Sequence, residues 1–299
     1  MIKEIIDKLV ALLAVSALLA SCSESELWQN PQTEARDGYI MLNFKTEIPA
    51  MQEVVTRAVD PDGGGVQDMT LFCFDSYGLF ISTVKAGVTV QKPGPGEMEG
   101  TFKAEVPENT RTIHFLANQN MDEFKEDSFR NKSESEVMAV LEGSSGRMIY
   151  WGRFACDAGN DSNIAEQMAT SGNSVKLIRN HARISVDNPD NNGHIVITGF
   201  AVCNTNAFGT VAPHHPKKGF DFTWPSSDDP FVTLPVNDAK MSDITDVTSS
   251  MNQYVFECEN SADAPVSVIL RGHLPDQDEE KYYRVLLVDD KGEQLLVRR

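Results

Sequence analysis

The sequence is poor in basic residues and lacks the short motifs of the common enzyme classes. Its 26 Lys and Arg are outnumbered by 44 Asp and Glu, which gives 299 residues a formal net charge of −18. This balance argues against a nucleic acid partner, because binding a phosphate backbone requires clustered Lys and Arg. The chain contains no G-x-S-x-G, no G-x-x-x-x-G-K-S/T and no H-E-x-x-H. We therefore expect no enzyme, no catalytic residues and no cofactor.

Metal-binding patterns are also missing. None of the five Cys forms a C-x-x-C pair, which argues against a zinc site with paired cysteine ligands. The six His are dispersed, and the neighbouring His214 and His215 would point to opposite sides of an extended segment. The acidic run at 276–280 lacks the central Gly and the distal Glu of a calcium loop, which favours a solvated hairpin tip. We expect no metal site.

No apolar run is long enough to span a bilayer. Residues 9–19 form an apolar segment of 11 residues after two lysines, which is typical of a signal peptide. The segment leads into Leu-Ala-Ser-Cys22, which resembles the lipobox of bacterial lipoproteins, although two acidic residues near the N-terminus are unusual there. The resemblance implies removal of residues 1–21 and acylation of Cys22, with palmitate among the acyl chains. An ordinary signal peptide with a chance cysteine is the alternative.

Three of the four other cysteines, Cys73, Cys203 and Cys258, lie inside strand-like runs; the fourth is Cys156. A thiol in such a run behaves as a small buried hydrophobic group, which favours free thiols. A disulfide is possible outside the cytoplasm, and spacing alone does not exclude one.

The remaining sequence has the pattern of short β-strands separated by turns. In residues 39–45 the apolar Ile40, Leu42 and Phe44 alternate with other side chains, which predicts a half-buried strand. Asp-Ser-Tyr-Gly at 75–78 lies between two apolar runs and predicts a hairpin. The strand-like runs are 69–74, 79–84, 100–106, 112–117, 175–186, 194–203, 254–258, 265–270, 282–288 and 293–297. They predict an all-β fold of two tandem antiparallel β-sandwich domains.

One short helix is expected near residue 134. Ser133 and Glu136 have the spacing of a capping box, in which side chain and backbone satisfy each other's hydrogen bonds. Val137, Val140 and Leu141 would share one face, and Gly143 would end the helix.

These signals divide the chain into four parts. They are a lipoprotein signal peptide at 1–21, a polar tether at 22–36, an N-terminal β-sandwich at 37–180 and a C-terminal β-sandwich at 181–299. The last part is expected to be incomplete, because residues 294–299 have the pattern of half a strand. Either the chain is a fragment, or another polypeptide supplies the missing strand.

Several segments together resemble the fimbrillins of Bacteroidales, the FimA-like and minor-fimbrillin-like subunits of lipoprotein-derived (type V) pili. They are the lipobox, Val-Val-Thr-Arg-Ala at 54–58, the apolar run ending in Phe-Asp-x-x-Gly within 66–78, the junction at 177–186 and the segment 197–213. The resemblance implies transthyretin-like sandwich domains. It also implies a structural, accessory or anchor protein of a surface fimbrium that supports adhesion or biofilm formation.

The resemblance further implies an assembly mechanism. In that family, subunits reach the outer membrane as lipoproteins, and an arginine-specific protease cuts after an Arg that follows the first strand. Here the implied cut lies between Arg57 and Ala58. It would remove the strand that carries Ile40, Leu42 and Phe44, and a strand of the next subunit would fill the groove. The implied partners are other fimbrial subunits, the lipoprotein export machinery, the protease and, through the lipid, the outer membrane.

Three alternatives remain open at this point. An anchor subunit would keep its lipid and its first strand, and the motifs do not separate stalk, anchor and tip. A surface glycan-binding lipoprotein would also contain tandem β-sandwiches. A purely structural surface lipoprotein would exchange no strand with a partner.

Overall fold

The computed structural model describes residues 35–48, 66–93, 98–143, 148–186, 195–215, 219–220, 222, 240–247 and 252–297. Strands dominate these ranges, and the all-β class expected from the sequence is confirmed. No helix within them has the length and apolar character needed to cross a membrane. The signal peptide, Cys22, Arg57 and Ala58 lie outside the described residues, as does the tether up to residue 34.

The described strands are numbered in chain order. They are β1 Tyr39–Glu47, β2 Met69–Phe74, β3 Phe80–Lys85, β4 Gly87–Pro93, β5 Met98–Pro107, β6 Thr112–Ala117, β7 Glu142–Gly143, β8 Tyr150–Ala155, β9 Ser174–Lys176, β10 Ile178–Arg179, β11 His181–Ser185, β12 Val196–Thr205, β13 Gly209–Thr210, β14 His214–His215, β15 Gly219–Phe220, β16 Lys240–Met241, β17 Thr245–Asp246, β18 Asn252–Phe256, β19 Ser267–His273 and β20 Lys281–Leu286.

Two sheets form a sandwich in the first part of the chain. One has the order β4-β5-β1-β9 and the other has the order β10-β8-β6-β2-β3. Every second residue of β1 is buried, because successive side chains of a strand point to opposite faces of the sheet. In contrast, β2 and β6 are buried along their whole length, since both of their faces are covered. The core between the sheets contains Leu42 and Phe44 of the first sheet and Leu71 and Phe115 of the second.

Local signals explain the turn and the helices around this sandwich. Between β2 and β3, the Asp75 carboxylate accepts hydrogen bonds from the backbone N–H groups of Tyr77 and Leu79, and Gly78 has φ +72°. Helix α1 (Glu134–Met138) begins with the expected capping box of Ser133 and Glu136. A second helix, α2 (Ile164–Thr170), begins with the same box built from Asn163 and Glu166, which the sequence analysis missed. A 3₁₀ turn spans Glu126–Ser128.

Other details of the prediction need correction. The helix ends at Met138, so Val137 and Leu141 are buried but Val140 is 51% exposed. Gly143 does not end the helix, because it belongs to β7. A register shift between Ile197 and Gly199 breaks the expected alternation of β12. Residues 293–297 form no strand and make isolated bridges instead.

The second part of the chain contains a smaller core. A sheet with the order β16-β12-β19-β20 and the pair β11-β18 contribute to it, and its members include Ala182, Val202 and Val266. The two parts are joined by more than the chain itself. Strand β13 pairs with β7. The following Val211 and Ala212 belong to a buried cluster that includes Phe72, Leu116 and Trp151 of the sheet β10-β8-β6-β2-β3. Residues from both sides of the predicted boundary at 180/181 therefore share a core, and the division into two domains stays a prediction.

Candidate functional site

The candidate site is the first strand, β1, together with the groove that holds it. Although β1 is the first strand of the described residues, it is an interior strand, with β5 on one side and β9 on the other. Tyr39–Thr46 pairs antiparallel with β5, and Lys45–Glu47 pairs in parallel with β9. An interior strand is the hardest to remove from a sheet without replacement, because both neighbours would lose hydrogen-bond partners.

The hydrogen bonds show which residues of β1 face each neighbour. The Lys45 N–H donates to the Asn173 carbonyl at 2.7 Å, and the Glu47 carbonyl accepts from the Leu177 N–H at 2.8 Å. The backbone N–H and C=O groups of Lys45 and Glu47 therefore point towards β9, and those of the even-numbered residues of β1 point towards β5. Phe44 is accordingly paired with Phe102. The β5 amide groups that bond to β1 should exchange hydrogen slowly when a strand occupies the groove and rapidly when it is empty.

The inward face of β1 is closely packed. Ile40, Leu42 and Phe44, predicted from the alternation, are 8%, 1% and 0% exposed. The Phe44 ring lies parallel to that of Phe102 at 5.5 Å and meets the edge of Phe115 at 5.0 Å. Helix α2 contacts β1 and contributes side chains to the same core. The Phe44 position is thus an aromatic socket with walls from both sheets.

The same face continues beyond the segment that sequence analysis identified. Thr46 and Ile48 are 0% and 2% exposed. The alternation could have revealed them, since they extend the pattern of Ile40, Leu42 and Phe44 by two more steps. In the sheet, Thr46 lies between Gly100 of β5 and Val175 of β9.

Thr46 is an imperfect fit to this environment. Its hydroxyl is buried and has no hydrogen-bond partner among the described residues. An unsatisfied buried polar group costs about 1–3 kcal/mol, which a side chain of the same shape without the hydroxyl would avoid.

We expect Thr46→Val to raise the free energy of unfolding by about 1 kcal/mol, because it removes this unpaired hydroxyl without changing the shape of the side chain. Urea titration of the two proteins measures the difference. The matched control is Thr83→Val, since the Thr83 hydroxyl donates to the Glu126 carboxylate at 2.5 Å. The control should be destabilised. Equal losses in both variants would contradict this account of Thr46.

A polar clasp holds the start of β1. The Arg36 backbone N–H and its Nε each donate to the Glu105 carboxylate of β5 at 2.7 Å, and the guanidinium lies 4.3 Å from the centre of the Tyr39 ring. The hydrogen bond from the Arg36 backbone, with that from its side chain, lowers the pKa of Glu105. The clasp is exposed, so its contribution is small compared with that of the buried face.

A buried polar network lies on the other face of the second sheet. The His114 ring is fully buried, and its Nδ1 accepts a hydrogen bond from the Trp151 indole at 3.0 Å. The ring proton therefore lies on Nε2, which is 2.6 Å from the Glu134 carboxylate. The same carboxylate accepts two bonds from Arg153, at 2.7 and 3.1 Å. The network fastens α1 to β6 and β8.

The environment shifts the pKa values of this network. Burial lowers the pKa of His114 and outweighs the opposing effect of Glu134, which favours the neutral ring. For Glu134, burial by itself would raise the pKa, but the hydrogen bonds from His114 and Arg153, with the positive charge of Arg153, lower it to about 2. No sequence signal identified this group, because its members come from three separate elements.

The other residues considered in the sequence analysis are not assembled into a site. In the described ranges, no group of three or more His, Cys, Asp or Glu could hold a metal ion. Residues 276–280 lie in the connection between β19 and β20, consistent with the expected hairpin tip. Trp151, whose exposure would have favoured the glycan-binding alternative, lies in the core. The absence of a metal, of a cofactor and of catalysis remains a prediction.

The cysteines of the described residues are free thiols. Cys73 and Cys258 are buried, whereas Cys156 and Cys203 are half-buried. Burial raises the pKa of Cys73 to about 12 and that of Cys258 to about 11. Neither thiol is set up as a nucleophile, because the reactive form is the thiolate.

Comparison with known proteins bears on the fold. No family model matches the chain, and no curated protein matches it in sequence. A solved structure of a putative cell adhesion protein from Parabacteroides distasonis superposes with a TM-score of 0.54 at 14% identity, covering 86% of this chain and 84% of the other. The chain has the fold of that protein. This likeness concerns the fold alone, and the fimbrillin family resemblance of the sequence motifs remains a prediction.

Two further structures are similar at lower scores. The tip fimbrial protein Mfa3 from Porphyromonas gingivalis, with a C-terminal truncation, gives a TM-score of 0.48 at 13% identity over 84% of this chain and 83% of the other. A putative cell adhesion protein from Bacteroides eggerthii gives 0.41 at 10% identity over 86% and 83%. At these scores the two structures add nothing to the argument about fold.

Proposed function

We propose that this protein is a non-enzymatic, fimbrial or adhesin-like subunit of the cell surface that is assembled by strand exchange at the β1 groove. The observation that carries the proposal is the position of β1, which is the first described strand along the chain but interior in the sheet. A single cut in 49–65 would separate β1 from all the other described strands. The groove left between β5 and β9 would then require another strand, because its backbone groups and apolar sockets would be open to water.

The proposal assigns roles to the residues that lie outside the described ranges. Cys22 carries the lipid that holds the precursor in the outer membrane after export as a lipoprotein. An arginine-specific protease cuts between Arg57 and Ala58, which releases the segment with Ile40, Leu42 and Phe44. A strand of a neighbouring fimbrial subunit then takes its place. Residues 37–180 form the accepting domain and residues 181–299 form the second domain, and the assembled fimbrium supports adhesion or biofilm formation.

Arg57→Lys tests the proposed processing in the cell that makes the protein. An arginine-specific protease does not cut after lysine, so we expect the variant to keep β1 and the lipid on Cys22 and to be absent from sheared fimbriae. The matched control is Arg130→Lys, at an exposed arginine paired on the surface with Asp127. The control should assemble normally. Normal assembly of uncut Arg57→Lys protein would contradict strand exchange at the β1 groove and would favour an anchor subunit, which keeps its lipid and its first strand.

A further inference from the structure

The resident strand does not fit its groove perfectly, and the misfit is confined to one socket. Ile40, Leu42, Phe44 and Ile48 place apolar side chains in the core, whereas Thr46 places a hydroxyl there without a hydrogen-bond partner within the described chain. No described neighbour replaces the hydrogen bonds that the Thr46 hydroxyl would make to water in the unfolded chain. Its neighbours across the sheet are Gly100 and Val175, and Phe44 and Ile48 flank it along the strand. An apolar β-branched side chain would fill the same volume and would also favour the extended backbone.

The adjacent socket is far more demanding. Phe44 is fully buried against Phe102 and Phe115, so a smaller side chain would leave a cavity between the two sheets. The Phe44 and Thr46 sockets also lie where β1 begins to have strand neighbours on both sides, since β9 pairs with β1 only over Lys45–Glu47. A strand lying in the groove is therefore enclosed most completely at this end.

We infer that the incoming strand, on the proposed function above, carries an aromatic residue in the Phe44 socket and a β-branched aliphatic residue in the Thr46 socket. Such a strand binds the groove more tightly than β1 itself. The aromatic socket sets the register, because a slip of one residue would turn every side chain to the wrong face. The Thr46 socket supplies the preference for the partner over the resident strand. Replacement of β1 by the partner strand then lowers the free energy, although the number of backbone hydrogen bonds stays the same.

Peptide binding to the full-length chain tests this inference. The chain carries Phe44→Ala, which weakens its own β1, and is refolded from urea with a fluorescent peptide of residues 37–48. Fluorescence anisotropy gives the Kd of this peptide and of three variants of it. The variants are Thr46→Val, Phe44→Ala and, as the matched control, Lys45→Val, which adds a β-branched residue on the exposed face of the strand.

We expect the Thr46→Val peptide to bind about tenfold more tightly than the natural sequence, which corresponds to about 1.4 kcal/mol. The Lys45→Val peptide should stay within about threefold of the natural sequence, and the Phe44→Ala peptide should bind at least about a hundredfold more weakly. If the natural peptide binds but Thr46→Val binds no more tightly, this inference is wrong and strand exchange still stands. If no peptide binds, the groove does not accept a strand in trans, and both proposals fall.

Discussion

Replacing Phe44 with alanine is expected to lower the free energy of unfolding by about 3–5 kcal/mol. The ring is fully buried and contacts aromatic rings of both sheets, Phe102 in its own sheet and Phe115 in the facing one. The loss combines the transfer free energy of the ring with the cost of a cavity that the paired strands cannot close. Urea unfolding at neutral pH gives the change from the shift in midpoint at constant slope.

The matched control for this prediction is Asn43→Ala, in the same strand but on its outer face. The Asn43 side chain is half-buried and is not part of the core between the sheets, so we expect a change below about 1 kcal/mol. Similar losses for Asn43→Ala and Phe44→Ala would show that β1 is held by its backbone alone. That result would contradict the idea that the groove selects strands by their side chains.

Replacing Glu134 with alanine is expected to cost about 3 kcal/mol at neutral pH. The variant leaves the buried Nε2–H of His114 without an acceptor and removes the carboxylate that pairs with Arg153. Glu134→Gln should cost less, because the amide oxygen can still accept a hydrogen bond. Asp127→Ala is the control for loss of a surface pair, since Asp127 is 91% exposed in its pair with Arg130. The control should change stability by less than about 0.5 kcal/mol.

The same network predicts how stability depends on pH. Glu134 has a pKa of about 2 in the folded protein against an ordinary value of 4.5, so its contribution is present above pH 4.5 and is lost as the pH falls towards 2. The lowered pKa of His114 acts in the same direction, because the unfolded chain takes up a proton below pH 6.5 that the folded ring resists. The free energy of unfolding of the wild type should therefore fall on acidification below pH 6.5, because of His114, and again from pH 4.5 towards 2, because of Glu134.

Urea titrations between pH 7 and pH 2 measure this dependence. The stability difference between the wild type and Glu134→Ala should narrow as the pH falls from 4.5 towards 2, because protonation of Glu134 in the wild type removes the interaction that the variant lacks. A constant difference across this range would indicate that the Glu134 charge contributes nothing.

Local signals predicted some of the elements around the site, but not β4, β8 or α2. The alternation of Ile40, Leu42 and Phe44 predicted β1. The continuous apolar run at 69–74 predicted β2, whose observed bounds are the same. The capping box at Ser133 marked the start of α1. The same box at Asn163 was overlooked, although the spacing to Glu166 is identical. These successes depend on signals that lie within a few residues of each other in sequence.

Pairings between distant segments could not be predicted in the same way. The parallel contact between β1 and β9 joins residues far apart in the chain, and the pair β7-β13 joins the two parts of the molecule. Register between such segments is decided by the packing of the whole core, which a local pattern does not contain. For the same reason, the environment of Thr46 and the network around His114 became visible only in three dimensions.

The central claim is that β1 is replaced in trans. Hydrogen exchange followed by mass spectrometry, performed on protein taken from sheared surface fimbriae, tests it most directly, because the peptides report both the N-terminus and the amide protection of β5. We predict a chain that begins at Ala58 and still shows slow exchange at the β5 amides, such as those of Phe102 and Ala104, that pair with β1 in the precursor. A chain that still contains residues 39–48, or one that begins at Ala58 with rapidly exchanging β5 amides, would contradict the claim.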